Sequence, residues 1–354
     1  MLSFIKKYGS KTFKMKPFGE VDNVILSTLA YLDFSGIIPK DKHFVTLGVA
    51  VETYLKTHNK KQVSNLGIAM KNAWTIAEAI KDQRRYKNLY ISNYEYIIDS
   101  DTQFSAMTVH LGPHTKFIVF EGTDEMISGW KEDFFMPFKF PVDAHTYAIE
   151  YLNHVVTVLD RTIFIGGHSK GGNLALVSAM YARPHIKPRI RTIYSNDGPG
   201  LRQQEFKTFR FKNAQKKLVH IVPDHSIVGM FLSSGEHTCV KSNRRGPFAH
   251  STLSWVVEDD HFKRCELSES SKTLEKNLLE CLSSVPTENQ EKAIDLVFKS
   301  VEKSGAKSTR DLLSLRRLGA IISNLRGIDA ETRKMMTETF KIMYKAAMNK
   351  GDKK

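Results

Sequence analysis

The stretch Thr162–Ala182, TIFIGGHSKGGNLALVSAMYA, joins a β-branched apolar run to a good helix former through a glycine-rich turn. The apolar run predicts a buried strand, and the residues after the glycines predict a helix. Residues 167–171, GHSKG, have the pattern G-x-S-x-G. A chain that reverses sharply between strand and helix needs glycines beside the serine, because bulkier side chains collide there, and the turn exposes the serine Oγ. The stretch therefore predicts that Ser169 is a nucleophile.

Two other interpretations of the same turn are a phosphate-binding loop and an ordinary tight turn. The phosphate-loop spacing G-x-x-x-x-G-K-[ST] is absent, and Lys170 directly follows the serine. This spacing disfavours the phosphate loop. The strand and helix on either side favour the nucleophile over the ordinary turn.

Apolar periodicity predicts the elements around this turn. Residues 39–86 have a helical pattern, 103–111 and 116–120 predict a hairpin, and 144–158 predicts another helix. Further strands are predicted at 162–165, 190–195 and 218–222. Alternating strands and helices indicate a mostly parallel sheet with helices on both faces, an α/β class. From about residue 271 only helical patterns follow, so we expect domains at 1–270 and 271–354, the second packed on the core or on a partner.

Length, charge and cysteine content restrict the function classes. The chain has 354 residues, three cysteines and a formal net charge of +14. The basic residues are scattered as short pairs without a nucleic-acid-binding motif, so no nucleic-acid partner is expected, whereas attraction to an anionic membrane surface stays open. The cysteines lack metal-type spacing and predict reduced thiols. Without a signal-peptide pattern or an apolar run near the ~20 residues of a membrane span, we expect a cytoplasmic protein.

A nucleophilic serine needs a histidine base and a carboxylate that orients it, both on later loops. For the acid we favour Asp224, which follows the predicted strand at 218–222. Asp197, which follows the preceding predicted strand, stays open as the alternative. For the base we favour His250, in the loop RRGPFAHSTLSW, and His237 and His261 stay open.

Acyl transfer also requires donors to a developing oxyanion. We expect the backbone N–H of Lys170, after the serine, and Thr123, in the loop after the strand at 116–120. Thr123 offers an N–H and a hydroxyl. Capping of the next segment by Thr123 is the structural alternative.

Several sequence blocks resemble the lipase-like α/β-hydrolases related to fungal triacylglycerol lipases. These are FEGTD followed by GWKEDF, within 120–134, and GGHSKGGNLAL at 166–176. The chain is more similar still to the bacterial Mbeg1-like family, through FGEVDNVILSTLAYLDF at 18–34 and the blocks NDGPG, PDHSIVGM and HSTLSW. The resemblance implies an α/β-hydrolase fold with helical N- and C-terminal additions and a catalytic Ser169, and it supports His250 and Asp224. Glu121 stands where the related lipases have arginine, so the sequence departs from the family pattern and reverses a charge beside the expected oxyanion loop.

The sequence thus predicts a serine esterase or lipase-like hydrolase of small acyl esters or lipids, without cofactor or metal. The alternative is a catalytically inactive hydrolase fold that binds lipid head groups or a protein partner. A peptidase or thioesterase would use the same triad. Leaving group, acyl chain and oligomeric state do not follow from the sequence.

Overall fold

Buried apolar strands alternate with helices along most of the chain. The computed structural model describes residues 1–40, 43–98, 102–123, 136, 139–232, 235–273, 276, 330 and 334. The strands are β1 Val45–Thr46, β2 Tyr90–Ile98, β3 Gln103–Gly112, β4 Thr115–Phe120, β5 Thr162–His168, β6 Ile190–Asn196, β7 Leu218–Pro223, β8 Thr238–Val240, β9 Val257–Glu258 and β10 His261–Phe262.

The helices fall into an N-terminal group and a group interleaved with the later strands. The first group is α1 Leu2–Tyr8, α2 Glu20–Leu29, α3 Leu47–Thr57, α4 Lys60–Asn65, α5 Ile68–Ile80 and α6 Arg84–Lys87. The second is α7 Asp143–Val155, α8 Lys170–Tyr181, α9 Gln203–Phe206 and α10 Phe209–Gln215, and short 3-10 turns include Gly246–His250 and Thr252–Ser254.

The described strands β1 to β8 form an eight-stranded sheet in sequence order. Strands β1 to β4 pair antiparallel, and β4 to β8 pair parallel. The parallel strands therefore end at one edge, where the last residues of β4, β5, β6 and β7 are Phe120, His168, Asn196 and Pro223. In such sheets ligands bind beyond the carboxyl ends of the strands, so this edge is where a site is expected.

Helices cover both faces of the sheet. In β4, Phe117 and Val119 pack with the N-terminal helices, whereas Ile118 and Phe120 pack with α7 and α8. This alternation follows from the two-residue period of a strand, and β4 is apolar on both faces because both are covered. The predicted α/β class with a mostly parallel sheet is confirmed.

Most predicted elements are present with small shifts of their ends. The predicted hairpin is the β3–β4 pair, and the predicted helix at 144–158 is α7. Strand β2 was not predicted, because a register shift between Ser92 and Glu95 and the positive φ of 54° at Asn93 interrupt its alternation. Apart from residues 271–273, 276, 330 and 334, the predicted C-terminal domain at 271–354 and its helices lie outside the described residues.

Candidate active site

The turn between β5 and α8 presents Ser169 in a strained conformation. Strand β5 ends at His168, α8 begins at Lys170, and Ser169 between them has φ 56° and ψ −130°. A non-glycine residue in this region of φ and ψ is strained, and such strain concentrates at functional sites. The predicted strand-turn-helix arrangement is therefore present.

The two flanking glycines are required by close backbone contacts. A Cβ on Gly167 would lie 2.5 Å from the carbonyl oxygen of Phe120, and a Cβ on Gly171 would overlap the same oxygen. Real Cβ atoms do not approach oxygen so closely, so both positions exclude other residues. The turn is consequently packed against the end of β4, which brings Ser169 beside the loop that follows β4.

His250 and Asp197 form the hydrogen-bonded pair that a serine nucleophile needs. Nδ1 of His250 lies 2.7 Å from Oδ2 of Asp197. Because a carboxylate only accepts, Nδ1 carries the proton, which leaves the lone pair of the imidazole on Nε2. The ring centroids of His250 and His168 are 4.3 Å apart, so His250 lies beside the residue that precedes Ser169.

Asp197 remains ionised although it is fully buried. Burial acts to raise its pKa, but the hydrogen bonds from His250 and Ser226 and the charge of a protonated His250 outweigh burial, so the pKa is lowered overall. Its Oδ1 accepts hydrogen bonds from the Ser226 hydroxyl and, at 3.1 Å, from the Gly229 N–H. A carboxylate held in this way can orient a histidine and stabilise its protonated form.

The structure corrects the expected partner of His250, which is Asp197 and not Asp224. Oδ2 of Asp224 accepts a hydrogen bond of 2.6 Å from Lys241 Nζ, and its Oδ1 accepts one of 3.1 Å from the Ser242 N–H. Both oxygens are therefore used to join the end of β7 to the segment after β8. The loop after β7 contributes to the site through Ser226 instead.

The two histidines left open by the sequence have other partners. His261 lies in β10, where Nδ1 is 3.1 Å from Oδ1 of Asp260. His237 precedes β8, and its ring is 6.5 Å from that of His220. His250 is the candidate that the structure pairs with an acid at the carboxyl edge of the parallel strands.

The two expected oxyanion donors lie on adjoining segments. Lys170 begins α8, so its backbone N–H belongs to the first turn, whose N–H groups have no acceptor within the helix. Its buried side chain points elsewhere and donates to the carbonyl of Gln103 at 2.6 Å. Thr123 follows Gly122, where a Cβ would lie 2.5 Å from the carbonyl oxygen of His168, so this loop passes directly beside the end of β5.

Glu121 is buried on the side of the N-terminal helices. It is 5% exposed, and its backbone N–H donates to Ser105 at 3.0 Å, in continuation of the β3–β4 pairing. After burial, which has the largest effect, the charges of Asp33 and Glu121 help to raise the pKa of Tyr54 to about 12. The charge of Glu121 therefore acts on Tyr54, in the helix α3.

Sequence reasoning missed Ser226, His168 and Tyr31. Ser226 donates to Asp197, and His168 contacts both the carbonyl oxygen of His250 and the hydroxyl of Tyr31. The position of His168 inside the G-x-S-x-G pattern was a usable signal. Nothing in the order of residues links Tyr31 to the serine, which is far away in the chain.

Two features are absent from the described residues. This part of the chain holds no group of His, Cys, Asp and Glu side chains arranged to bind a metal ion. It also includes no helix with the length and apolar character needed to cross a membrane.

The fold and the site define an α/β protein with a strained serine and a histidine–carboxylate pair at the carboxyl edge of its parallel strands. Residues 80–299, more than half of the chain, match the family model described as Mbeg1-like, and the chain belongs to this family. The sequence matches no curated protein. Among solved structures, the Rhizomucor miehei lipase propeptide complex is similar with 20% identity and a TM-score of 0.36, over 50% of this chain and 67% of that chain.

Proposed function

We propose that this protein is a serine hydrolase of the α/β-hydrolase type that cleaves acyl esters through an acyl-enzyme. Ser169 is the nucleophile, His250 the general base and Asp197 the carboxylate that orients it. The observation that carries the proposal is the contact of 2.7 Å between His250 Nδ1 and Asp197 Oδ2 at the sheet edge where Ser169 is presented with positive φ. A nucleophile, a base and an orienting acid are the parts that covalent catalysis by serine requires.

In the first half of the reaction, His250 Nε2 takes the proton of Ser169 while Oγ attacks the acyl carbonyl carbon. Negative charge develops on the carbonyl oxygen, and the backbone N–H of Lys170 and the N–H and hydroxyl of Thr123 stabilise it. Asp197 holds the proton of Nδ1 and stabilises the imidazolium that forms. The bond between the carbonyl carbon and the leaving alcohol then breaks, and His250 donates its new proton to that alcohol.

In the second half, His250 takes a proton from water, which attacks the carbonyl carbon of the acyl-Ser169 ester. The tetrahedral intermediate collapses, the serine recovers its proton from His250, and the carboxylic acid leaves. Each proton and electron pair is supplied by the side chains, the substrate or water, so the reaction as written uses no cofactor. The substrate class is a small acyl ester or a lipid ester.

The test is labelling of the purified protein with a fluorophosphonate, which traps an activated serine, followed by mass mapping of the adduct. We expect one adduct, on Ser169, in the wild type, and none in Ser169→Ala. His250→Ala should lower the labelling rate by at least about a thousandfold, because triad members act as a unit. Ser178→Ala is the matched control, since Ser178 is buried in α8, the helix that follows Ser169, and its hydroxyl donates to the Ala175 carbonyl at 3.0 Å.

An adduct on a different serine, or no adduct in folded wild-type protein, would contradict the proposal. The absence of an adduct would favour the inactive binding protein instead. A panel of nitrophenyl esters of increasing chain length, measured on the same variants, would then define the acyl group for a protein that is labelled.

A further inference from the structure

His168, the residue before the nucleophile, connects the N-terminal helices to the backbone of the base. Its Nε2 lies 2.9 Å from the His250 carbonyl oxygen, and its Nδ1 lies 2.8 Å from the Tyr31 hydroxyl. Because a carbonyl oxygen only accepts, Nε2 carries the proton and Nδ1 accepts from Tyr31. The His250 carbonyl thus fixes the tautomer of His168, and the hydrogen bond from Tyr31 to the remaining nitrogen holds the ring in the orientation that reaches His250.

This connection persists over a wide pH range because His168 stays neutral. Burial, and after it the neighbouring His250, lower the pKa of His168 to about 3, while Asp197 and the hydrogen bond to the His250 backbone act in the opposite direction. A protonated ring would donate from both nitrogens and would lose Tyr31 as a donor. The neutral ring also leaves His250 as the histidine of this pair that gains a proton during acyl transfer.

The two residues after His250 are held by the N-terminal helices as well. Nδ2 of Asn72, on α5, donates to the Ser251 hydroxyl at 2.8 Å. The hydroxyl of Thr28, on α2, lies 2.8 Å from that of Thr252. Three consecutive residues of this loop, from His250 to Thr252, are therefore bound directly or through one ring to the N-terminal segment that precedes β2.

We infer that the N-terminal helices position the base, and that Tyr31, acting through His168, is the principal positioning residue. Tyr31, Thr28 and Asn72 all lie outside residues 80–299, so the complete site extends beyond the part of the chain that matches the family model. The inference rests on the proposed function, because it assigns the positioned group as the base of that reaction. A displacement of a catalytic group by about 1 Å is enough to slow an enzyme severely.

The first variant is Tyr31→Phe, with Tyr86→Phe as its matched control. The Tyr86 side chain is also fully buried, and its hydroxyl donates to Asp22 at 2.8 Å. Each variant removes one buried hydroxyl, but the Tyr86 hydroxyl bonds Asp22, which also accepts from Arg85, whereas the Tyr31 hydroxyl bonds His168. Both proteins are labelled with the fluorophosphonate and assayed on p-nitrophenyl butyrate.

We expect Tyr31→Phe to lower kcat and the labelling rate on the order of tenfold, with KM changed less than about twofold. Tyr86→Phe should keep wild-type values of all three. Thr28→Val keeps the volume of the side chain but removes the hydroxyl that contacts Thr252, so it should also lower kcat.

A second readout follows the hydrogen bond of the His168 ring directly. In imidazole ¹⁵N spectra, His168 of the wild type should show a protonated Nε2 and an unprotonated Nδ1 that accepts a hydrogen bond, and Tyr31→Phe should move the Nδ1 resonance toward that of a nitrogen without a hydrogen bond. Equal rates for Tyr31→Phe and Tyr86→Phe, or an unchanged Nδ1 resonance, would overturn the inference while a labelled wild type still supported the proposed function. A wild type that is not labelled would overturn both.

Discussion

Asp197 and Asp224 are two carboxylates with the same local sequence setting and different partners. Asp197 directly follows β6 and Asp224 directly follows β7, at the same edge of the sheet. We predict that Asp197→Asn lowers kcat/KM by about three to four orders of magnitude, because the amide can donate to Nδ1 and so favours the wrong tautomer of His250. Steady-state hydrolysis of p-nitrophenyl butyrate checks this.

Asp224→Asn is the comparison that separates the two acids. It removes the charge that faces Lys241, whose side chain is 48% exposed, so we expect a loss of stability of only about 1 kcal/mol and kcat/KM within about twofold of wild type. A larger loss of activity for Asp224→Asn than for Asp197→Asn would contradict the assignment of the acid.

Gln103 has a buried side-chain amide without a hydrogen-bond partner among the described residues. Within the described part of the chain, neither Nε2 nor Oε1 of Gln103 has a hydrogen-bond partner, and the residue is 2% exposed. Leaving such groups unpaired is costly, whereas an apolar side chain of similar size has no such cost. We predict that Gln103→Leu raises the free energy of unfolding by about 1 kcal/mol, measured from urea midpoints.

Asn173→Leu is the control for this prediction. The amide of Asn173 accepts from His145 at 2.7 Å and donates to the carbonyls of Pro199 and Gly200 at 3.2 Å and 2.7 Å. Its replacement leaves those groups unpaired, so we expect a loss of several kcal/mol. If Gln103→Leu were destabilising too, its amide would have a partner such as an internal water.

At the scale of elements, the crossing of β4 and α8 depends on glycine. We predict that Gly171→Ala lowers the free energy of unfolding by about 1–3 kcal/mol and abolishes labelling of Ser169, because the new methyl group overlaps the Phe120 carbonyl oxygen and pushes α8 away from β4. Thermal unfolding and fluorophosphonate labelling check the two parts.

Gly112→Ala provides the control for the crossing. Gly112 ends β3, and a Cβ there would meet no atom within 4 Å. We expect labelling at the wild-type rate and little change in stability. Equal behaviour of the two alanine variants would show that α8 can shift without cost.

At the scale of the whole molecule, buried neutral histidines couple stability to pH. Burial lowers the pKa of His145 and His220 to about 4 and that of His168 to about 3. In the unfolded chain the pKa of each histidine is about 6.5, so between about pH 6.5 and 4 the unfolded state binds more protons than the folded state. We therefore predict that the contribution of these histidines to the free energy of unfolding is constant above about pH 6.5. The free energy of unfolding should fall as the pH is lowered from about 6.5 to 4.

One variant, His220→Gln, measures how much a single histidine contributes to this pH dependence. Each histidine contributes up to about 1.4 kcal/mol per pH unit inside the window. His220 Nε2 contacts the Gly198 carbonyl at 3.1 Å, so His220→Gln retains a donor there without a titrating ring. Urea unfolding at pH 7, 5.5 and 4.5 should give a shallower slope for the variant, and an identical slope would show that His220 is protonated in the folded state.

The main strands, the serine turn and the covered sheet follow from local chemistry that is readable in the chain. Apolar runs such as Thr162–Ile165 have one stable placement, inside a sheet covered on both faces, and the glycines at 167 and 171 permit the sharp turn. The positions of Ser169 and Lys170 in that turn follow for the same reason. Local order failed at β2, where an irregular residue breaks the alternation on which strand prediction depends.

The partner of His250 was decided by tertiary structure alone. Asp197 and His250 are 53 positions apart, and whether the loop of His250 reaches the end of β6 or of β7 depends on how the whole chain packs at that edge. The same holds for Tyr31, which is 137 positions from His168 and meets it because α2 packs across the parallel strands. Hydrogen bonds require distances of about 3 Å between atoms, and the order of residues carries no such distance until the core has brought the elements together.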